Sequence, residues 1–540
     1  MKLKSLLSNL CFYMIITGAG FELEAQSDFI IYPGASTQTE TFITRHPLNE
    51  QILFASANTI KFQPSFFISE GVYVSEDGGL TWSGSDTCKG PNIAFHGGDP
   101  GIAIDKSGRF ILTRLGRVPL SGLYSHYSDD KGVTWSSGYT ITTEDLERAT
   151  VVTDGFANSP YSGRTYASWV RFAPPYPVAL TYTTNGGVSW ITPKIVNSQP
   201  ISRSSGGDMT VGSDGRIYVT WANVTSSSPF TETNIGFAVS SDGGDSWRVN
   251  EGSMPLNGIQ GILFEKQNIR VNSTPRIDID NSGGPYNGRL YIVTTQKNLA
   301  PAGTDPDIIL YRSTDRGTTW LPALRVNQDP LNNGKIQFFP AIYTDKNGGV
   351  NIVYYDDRGT SSDSTGVWLS RSLDGGETFS DYQISDRNFK PIPIGGLGQG
   401  YQGDNIDITG SGDHLLPVWM SNASGIYQIW SKRIPLSAVS VKEGEYDNAS
   451  PAVFSLAQNY PNPFNPSTVI SFSLGTPGSI SLTIYDLMGN LVKTAASGYY
   501  STGEHQVRVD LSDLNISSGT YFYTLRTQAG SITRKMVVMR

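Results

Sequence analysis

The chain has 540 residues, too many for one ordinary hydrophobic core, so two or more domains are expected. Charged residues make up only 16%, against 58 Gly, 27 Tyr and 10 Trp, and no long segment shows helical periodicity; this suits an all-β chain of short strands and tight turns. The formal charge of −8 is spread over interspersed acids and bases, without the basic stripe that nucleic acid or an anionic membrane would require.

In chain order the first feature is an export signal. Lys2 and Lys4 precede an apolar stretch, Leu6 to Ala19, too short and interrupted to span a bilayer. Cleavage is placed near Ala25-Gln26, so residues 1–25 read as a signal peptide and the mature chain as lacking a transmembrane helix. Cys11 leaves with the signal. Cys88 is then a lone thiol, read as exposed or half-buried, with a reactive thiol as the other reading.

Between residues 27 and 435 one pattern, S-x-D-x-G-x-x-W, recurs. Full copies run from Ser75 to Trp82, Ser128 to Trp135, Ser240 to Trp247 and Ser313 to Trp320. Two copies are degenerate, with Asn185 in place of Asp and Phe379 in place of Trp. In such a turn Asp accepts backbone N–H groups, Gly supplies a positive φ and Trp fills the gap beneath. Each copy follows a strand–turn–strand unit, as in GDPGIAID-KSG-RFILTRL and PAIYTDK-NGG-VNIVYYD. Seven modules are counted. The last has no such turn, and Asp28–Tyr32 (DFIIY) is expected to supply its fourth strand and close a ring. The turns are Asp-boxes and resemble the BNR repeats of the sialidase superfamily and other Asp-box propellers. A seven-bladed β-propeller is expected, with six blades, the number in sialidases, as the alternative.

Residues 436–452 are polar and read as a linker. Residues 453–540 hold several alternating strands between Pro, Gly and Asn turns. Their NYPNPFNP, YDLMGNLV and SGTYFY runs resemble the type A sorting domain of the type IX secretion system. That resemblance implies an Ig-like β-sandwich recognised by the secretion machinery of a Gram-negative bacterium. It also implies a secreted or surface-attached product.

Chemistry is expected on the face opposite the Asp-box turns, where first strands begin and second strands end. The beginnings supply Glu40, Asp99, Glu147 with Arg148, Asp208, Arg276, Gln337, and Tyr401 with Asp404. The ends supply Asn58, Arg114, Arg171, Asn223, Gln296, Asp357 with Arg358, and Asn422. From these, Arg114, Asp208, Arg276, Asp357, Arg358 and Asp404 are expected to bind ligand. The resemblance to sialidases implies three arginines on a substrate carboxylate, for which Arg114, Arg276 and Arg358 are candidates. It also implies a catalytic Tyr401, Glu147 and Asp99. The sequence departs from that family in lacking an Arg-Ile-Pro entry; the nearest stretch, Thr44-Arg45-His46-Pro47, puts Arg45 at the end of its strand. The expected function is binding of a glycan or protein ligand, the alternative an exo-acting glycoside hydrolase of sialidase type. No cofactor is expected, apart from a loose calcium loop at DIDNSGG from Asp278 that lacks a bidentate Glu. Trp169, Trp221 and Trp419 occupy matching second-strand positions, suited to packing between blades or to stacking on sugars.

Overall fold

Runs such as Phe110–Leu115 (FILTRL) and Ile217–Val224 (IYVTWANV) are rich in β-branched and aromatic residues, and both are almost wholly buried. A strand covered on both faces needs apolar residues at consecutive positions, not only alternate ones. The computed structural model describes residues 27–90, 96–147, 149–440, 454–486, 490–512, 516–527 and 530–539. The expected signal peptide and most of the expected linker lie outside these. Among the described residues no α-helix occurs, only the single 3-10 turns Phe264–Lys266 and Leu436–Ala438. Among the described residues no helix is long and apolar enough to cross a membrane. The chain divides into two compact units, Met1–Val441 and Lys442–Arg540.

Besides a two-stranded hairpin, the described part of the first unit contains seven antiparallel sheets, six with four strands in sequential order and a seventh with five strands. Their first strands are Thr37–His46, Gly101–Ile104, Thr150–Thr153, Arg203–Val211, Arg276–Ile279, Gln337–Thr344 and Asp407–Ser411. Each of these strands touches the first strand of the next sheet, and Asp407–Ser411 touches Thr37–His46. The sheets therefore form a closed, propeller-like ring with the first strands innermost. Phe29–Ile30 completes the seventh sheet, pairing Phe29 with Ser431 and Ile30 with Trp430. Leu436 and Val439 are still buried in this unit's core, so the chain leaves the ring after Val439 and not at 435 as the composition suggested.

All six S-x-D-x-G-x-x-W turns share one hydrogen-bond scheme. In the first, Ser75 Oγ donates to Asp77 Oδ1 (2.9 Å) and accepts from Gly79 N (2.8 Å), while Thr81 N donates to Asp77 Oδ1 (2.9 Å). The degenerate copy keeps the scheme: Asn185 Oδ1 accepts from Ser189 N (3.0 Å), and its Nδ2 donates to Ser189 Oγ (2.8 Å). Burial opposes ionisation of Asp242, but bonds from Ser246 and Ser240 hold its carboxyl down at about 2. The turn aromatics pack between neighbouring sheets, as Trp247 does against the cluster of Leu180 and Tyr166. Trp169, Trp221 and Trp419 are buried in the same interfaces and unavailable to a sugar. Gly236 lies so close to Trp221 that a Cβ there would stand 2.1 Å from the indole.

The second unit has two antiparallel sheets. One is formed by Phe454–Leu456, Ser467–Leu474 and Gly503–Asp510, the other by Leu491–Tyr500, Gly478–Tyr485, Gly519–Thr527 and Gly530–Val538. Leu456, Ile470, Phe472 and Val509 from the first share a core with Leu482, Ile484, Tyr523 and Met536 from the second.

Candidate ligand site at the mouth of the ring

Where the first strands begin, segments from all seven sheets line a cavity of about 410 Å³. It is lined by Glu40, Asp99, Glu147, Gly206, Arg276, Phe339 and Tyr401, with Asp404 beside Tyr401. The backbone is shaped for this. β-Bulges interrupt the first strands between Thr39 and Phe42, Ser205 and Asp208, and Phe338 and Ala341. Glu40 (φ 52°), Phe339 (φ 52°) and Gly206 (φ 61°) take left-handed conformations within these bulges, and Asp99 (φ 54°) does so just before its strand. For a residue other than glycine this costs on the order of 1 kcal/mol, and such strain concentrates at functional sites.

Asn58 ties two of the carboxylates together. Its Nδ2 donates to Glu40 Oε2 and Asp99 Oδ1, both at 3.1 Å, while its Oδ1 accepts from Asp99 N at 2.7 Å. The hydroxyl of half-buried Tyr401 lies 3.1 Å from Thr39 Oγ1. Burial, and then the charge of Glu40, push this phenol well above its ordinary value. Both arginines of the cavity are already engaged. Arg270 grips Asp404 through Nε (3.2 Å) and a second nitrogen. Burial opposes the charge of Arg270, but Asp404 outweighs it and raises the pKa. Arg276 crosses the axis: its Nε binds Asp208 (3.0 Å), one terminal nitrogen Asp407 (2.9 Å), the other Ile406 O (3.2 Å). This bridge joins the fifth sheet to the fourth and seventh and floors the cavity. Beneath it, Phe42, Ile102 and Met209 line a further space of about 120 Å³. At the far ends of the first strands a third cavity, about 410 Å³, is lined by Arg45, Asp278 and Tyr343 among others.

The ring thus gathers Asp99, Glu147, Arg276, Tyr401 and Asp404 in one cavity, with Asp208 in its floor. Three expected ligand residues are elsewhere. Arg114 is buried, donating Nε to His126 Nε2 (3.0 Å) and a terminal nitrogen to Leu115 O (3.0 Å). Asp357 is buried against Lys266 Nζ at 2.5 Å. Arg358 is held by Asp356 and Asp381 and lies over the Trp368 ring at 4.4 Å. All three end second strands, one strand spacing (about 4.8 Å) farther from the axis, where loops fold over them. The three candidate arginines therefore do not converge, and Arg276 spends its donors on protein acceptors. Arg148 falls outside the described residues.

Gln260 and Arg270 are among the cavity residues that went unnoticed in the sequence. Arg270 lies in an inserted hairpin, Gly261–Leu263 paired with Ile269–Val271, between the fourth and fifth sheets, and Gln260 directly precedes it. The hairpin is anchored by Lys266 on Asp357 and by Arg270 N on Gly400 O (2.8 Å). One further expectation needs correction. Cys88 is buried, and burial foremost raises its thiol pKa well above the ordinary value, leaving it unreactive. In the DIDNSGG stretch Asp278 accepts from Thr344 N (2.6 Å) and Thr210 Oγ1 (3.2 Å), and burial pushes it up to about 6. Among the described residues, no group of three or more His, Cys, Asp or Glu is arranged to hold a metal ion.

Residues 458–539 match the family described as the secretion system C-terminal sorting domain, which supports export through the type IX machinery and release or surface attachment. No curated protein matches the chain. Similar solved structures include an ulvan lyase bound to -[GlcA(1-4)Rha3S]- (11% identity, 76% of this chain, 96% of that chain, TM-score 0.49). An alpha-L-arabinanase of Penicillium chrysogenum complexed with arabinobiose is another (12% identity, 65% and 98%, TM-score 0.43). A third is the NanB sialidase of Streptococcus pneumoniae (14% identity, 77% and 71%, TM-score 0.39).

Proposed function

We propose that this is an exported seven-bladed Asp-box propeller, joined to an Ig-like sorting domain, whose mouth cavity binds a neutral, hydroxyl-rich ligand: the end of a glycan. One observation carries the reading. The cavity is lined by Glu40, Asp99, Glu147 and Tyr401, while its arginines, Arg270 and Arg276, are neutralised by Asp404, Asp208 and Asp407. Carboxylates and a phenol suit sugar hydroxyls, and engaged arginines do not clamp a carboxylate. The test is a glycan array probed with the purified mature chain. Glu147→Gln and Tyr401→Phe should each weaken binding by about tenfold, the worth of one good hydrogen bond, with an unchanged thermal midpoint. Binding equal to the parent in both variants would place the ligand elsewhere.

A second reading, glycoside hydrolysis, is favoured by one detail. Glu40 and Asp99 each sit 3.1 Å from the same nitrogen, so their oxygens are within about 6 Å, near the spacing of about 5 Å in retaining glycosidases. Release of reducing sugar from a bound glycan, abolished by Asp99→Asn, would select this reading.

A further inference from the structure

Beside the mouth lies a second cavity of about 360 Å³, which shares Asp99, Arg270 and Tyr401 with the first. Its character differs. Its remaining wall sets the apolar Ile60, Phe66, Ile68 and Leu397 beside Asn58, Gly398, Gln399 and Arg117. Phe66 is 44% exposed yet braced: the Phe62 ring packs against it at 5.9 Å, and the Arg117 guanidinium lies 5.1 Å over its ring. Arg117 is exposed and has no ion-pair partner among the described residues. The two cavities thus adjoin across Asp99, Arg270 and Tyr401, and they differ in charge. One holds Glu40, Glu147 and the Arg270-paired Asp404 and no uncommitted arginine; the other holds an aromatic face and a cation without an ion-pair partner among the described residues, and Asp99 borders both.

We infer that these are two subsites for a single oligosaccharide, and that the second takes a sugar unit with an acidic substituent, a carboxylate or a sulfate. This rests on the glycan reading of the mouth and extends it from a neutral end unit to a chain of at least two units. The C–H face of a pyranose matches an exposed aromatic ring walled by aliphatic side chains. An anionic group on that unit meets Arg117, whose planar donors suit carboxylate and sulfate oxygens alike. The same group would be repelled from the mouth by Glu40 and Glu147, which line only that cavity, and this fixes the direction in which the ligand lies.

The experiment uses the purified mature chain on an array of matched glycans: neutral monosaccharides, neutral disaccharides, and disaccharides with a uronic acid or sulfate on the second unit. Acidic disaccharides should bind best, and their advantage should shrink with added salt. Arg117→Gln should remove about tenfold of affinity for acidic disaccharides and leave neutral ones unchanged. Phe66→Ala should weaken all disaccharides to the level of monosaccharides. Both side chains are on the surface, so thermal midpoints should stay at the parent value. If both variants bind acidic disaccharides like the parent while Glu147→Gln has lost binding, the second subsite is refuted and the mouth reading survives. If the parent binds no glycan, both fall.

Discussion

Acid titration of His126 tests the buried polar seam between the first and second sheets. Arg114 Nε is a donor only, so His126 Nε2 accepts from it (3.0 Å) and the ring proton sits on Nδ1, 3.1 Å from Ser136 O. This fixes a neutral tautomer. Burial, and then the Arg114 charge, pull the pKa of His126 down to about 4, against about 6.5 in an unfolded chain. The folded state therefore holds fewer protons than the unfolded one below pH 6.5, and stability falls as pH falls through that window towards 4. Linkage gives a loss of about 2 kcal/mol at pH 5 and about 3 kcal/mol at pH 4. Asp278 acts oppositely: burial raises it to about 6, so protonation returns between 1 and 2 kcal/mol by about pH 5. The two nearly cancel in the parent. His126→Gln keeps one donor and one acceptor but does not titrate, so it should expose the Asp278 gain. All ten Trp lie between Trp82 and Trp430, so urea unfolding followed by Trp fluorescence reports on the first unit within the intact chain. Relative to the parent, the variant should gain about 2 kcal/mol on going from pH 7 to pH 5. Parallel pH profiles for the two proteins would refute the assignment of the tautomer and of the depressed pKa.

Trp247→Ala should cost about 2 kcal/mol, below the range for a fully buried Trp because this ring is only half-buried between its sheets; urea midpoints measure it. Arg276→Met leaves Asp208 and Asp407 without their shared cation and should cost about 3 kcal/mol at pH 7. Burial raises Asp407, so this penalty should shrink in melts at pH 5, where protonation removes the unpaired charge. A chain ending at Val441 should retain the parent's Trp-monitored unfolding but fail to leave the cell; fractionation that found it outside would refute a sorting role for the second unit.

Much of the first unit was legible because its sheets repeat a local rule. Turn chemistry at Ser75, Asp77 and Gly79 recurs six times, and alternation of strand and turn between copies sets the sheet order. Even Asn185, a departure from the pattern, keeps the bonds that make the turn. The innermost candidates Asp99, Glu147, Arg276, Tyr401 and Asp404 were legible for the same reason: the beginning of every first strand must face the axis. Arg114, Asp357 and Arg358 were misread because local pattern says nothing about radial distance. At the ends of second strands their fate depended on what folded over them, including Lys266 from a segment with no repeat signature. That insertion also hid Arg270, since a two-stranded hairpin with a 3-10 turn leaves no periodic trace in ILFEKQNIR. The pairing of Arg276 with acids on two other sheets joins residues up to 131 positions apart and has no local signal.

The pairing of Phe29–Ile30 with Gln428–Ser431 joins the two ends of the ring's polypeptide, about 400 residues apart, by a clasp only two residues long. Until the last sheet has been synthesised, that clasp has no partner. The six earlier sheets can each assemble from neighbouring segments, whereas the seventh is completed by the oldest residues of the unit. Folding should therefore end in a single slow, long-range step, preceded by an open arc with two unpaired edges. The mouth cavity, which needs all seven sheets, therefore comes into existence only after the clasp has shut.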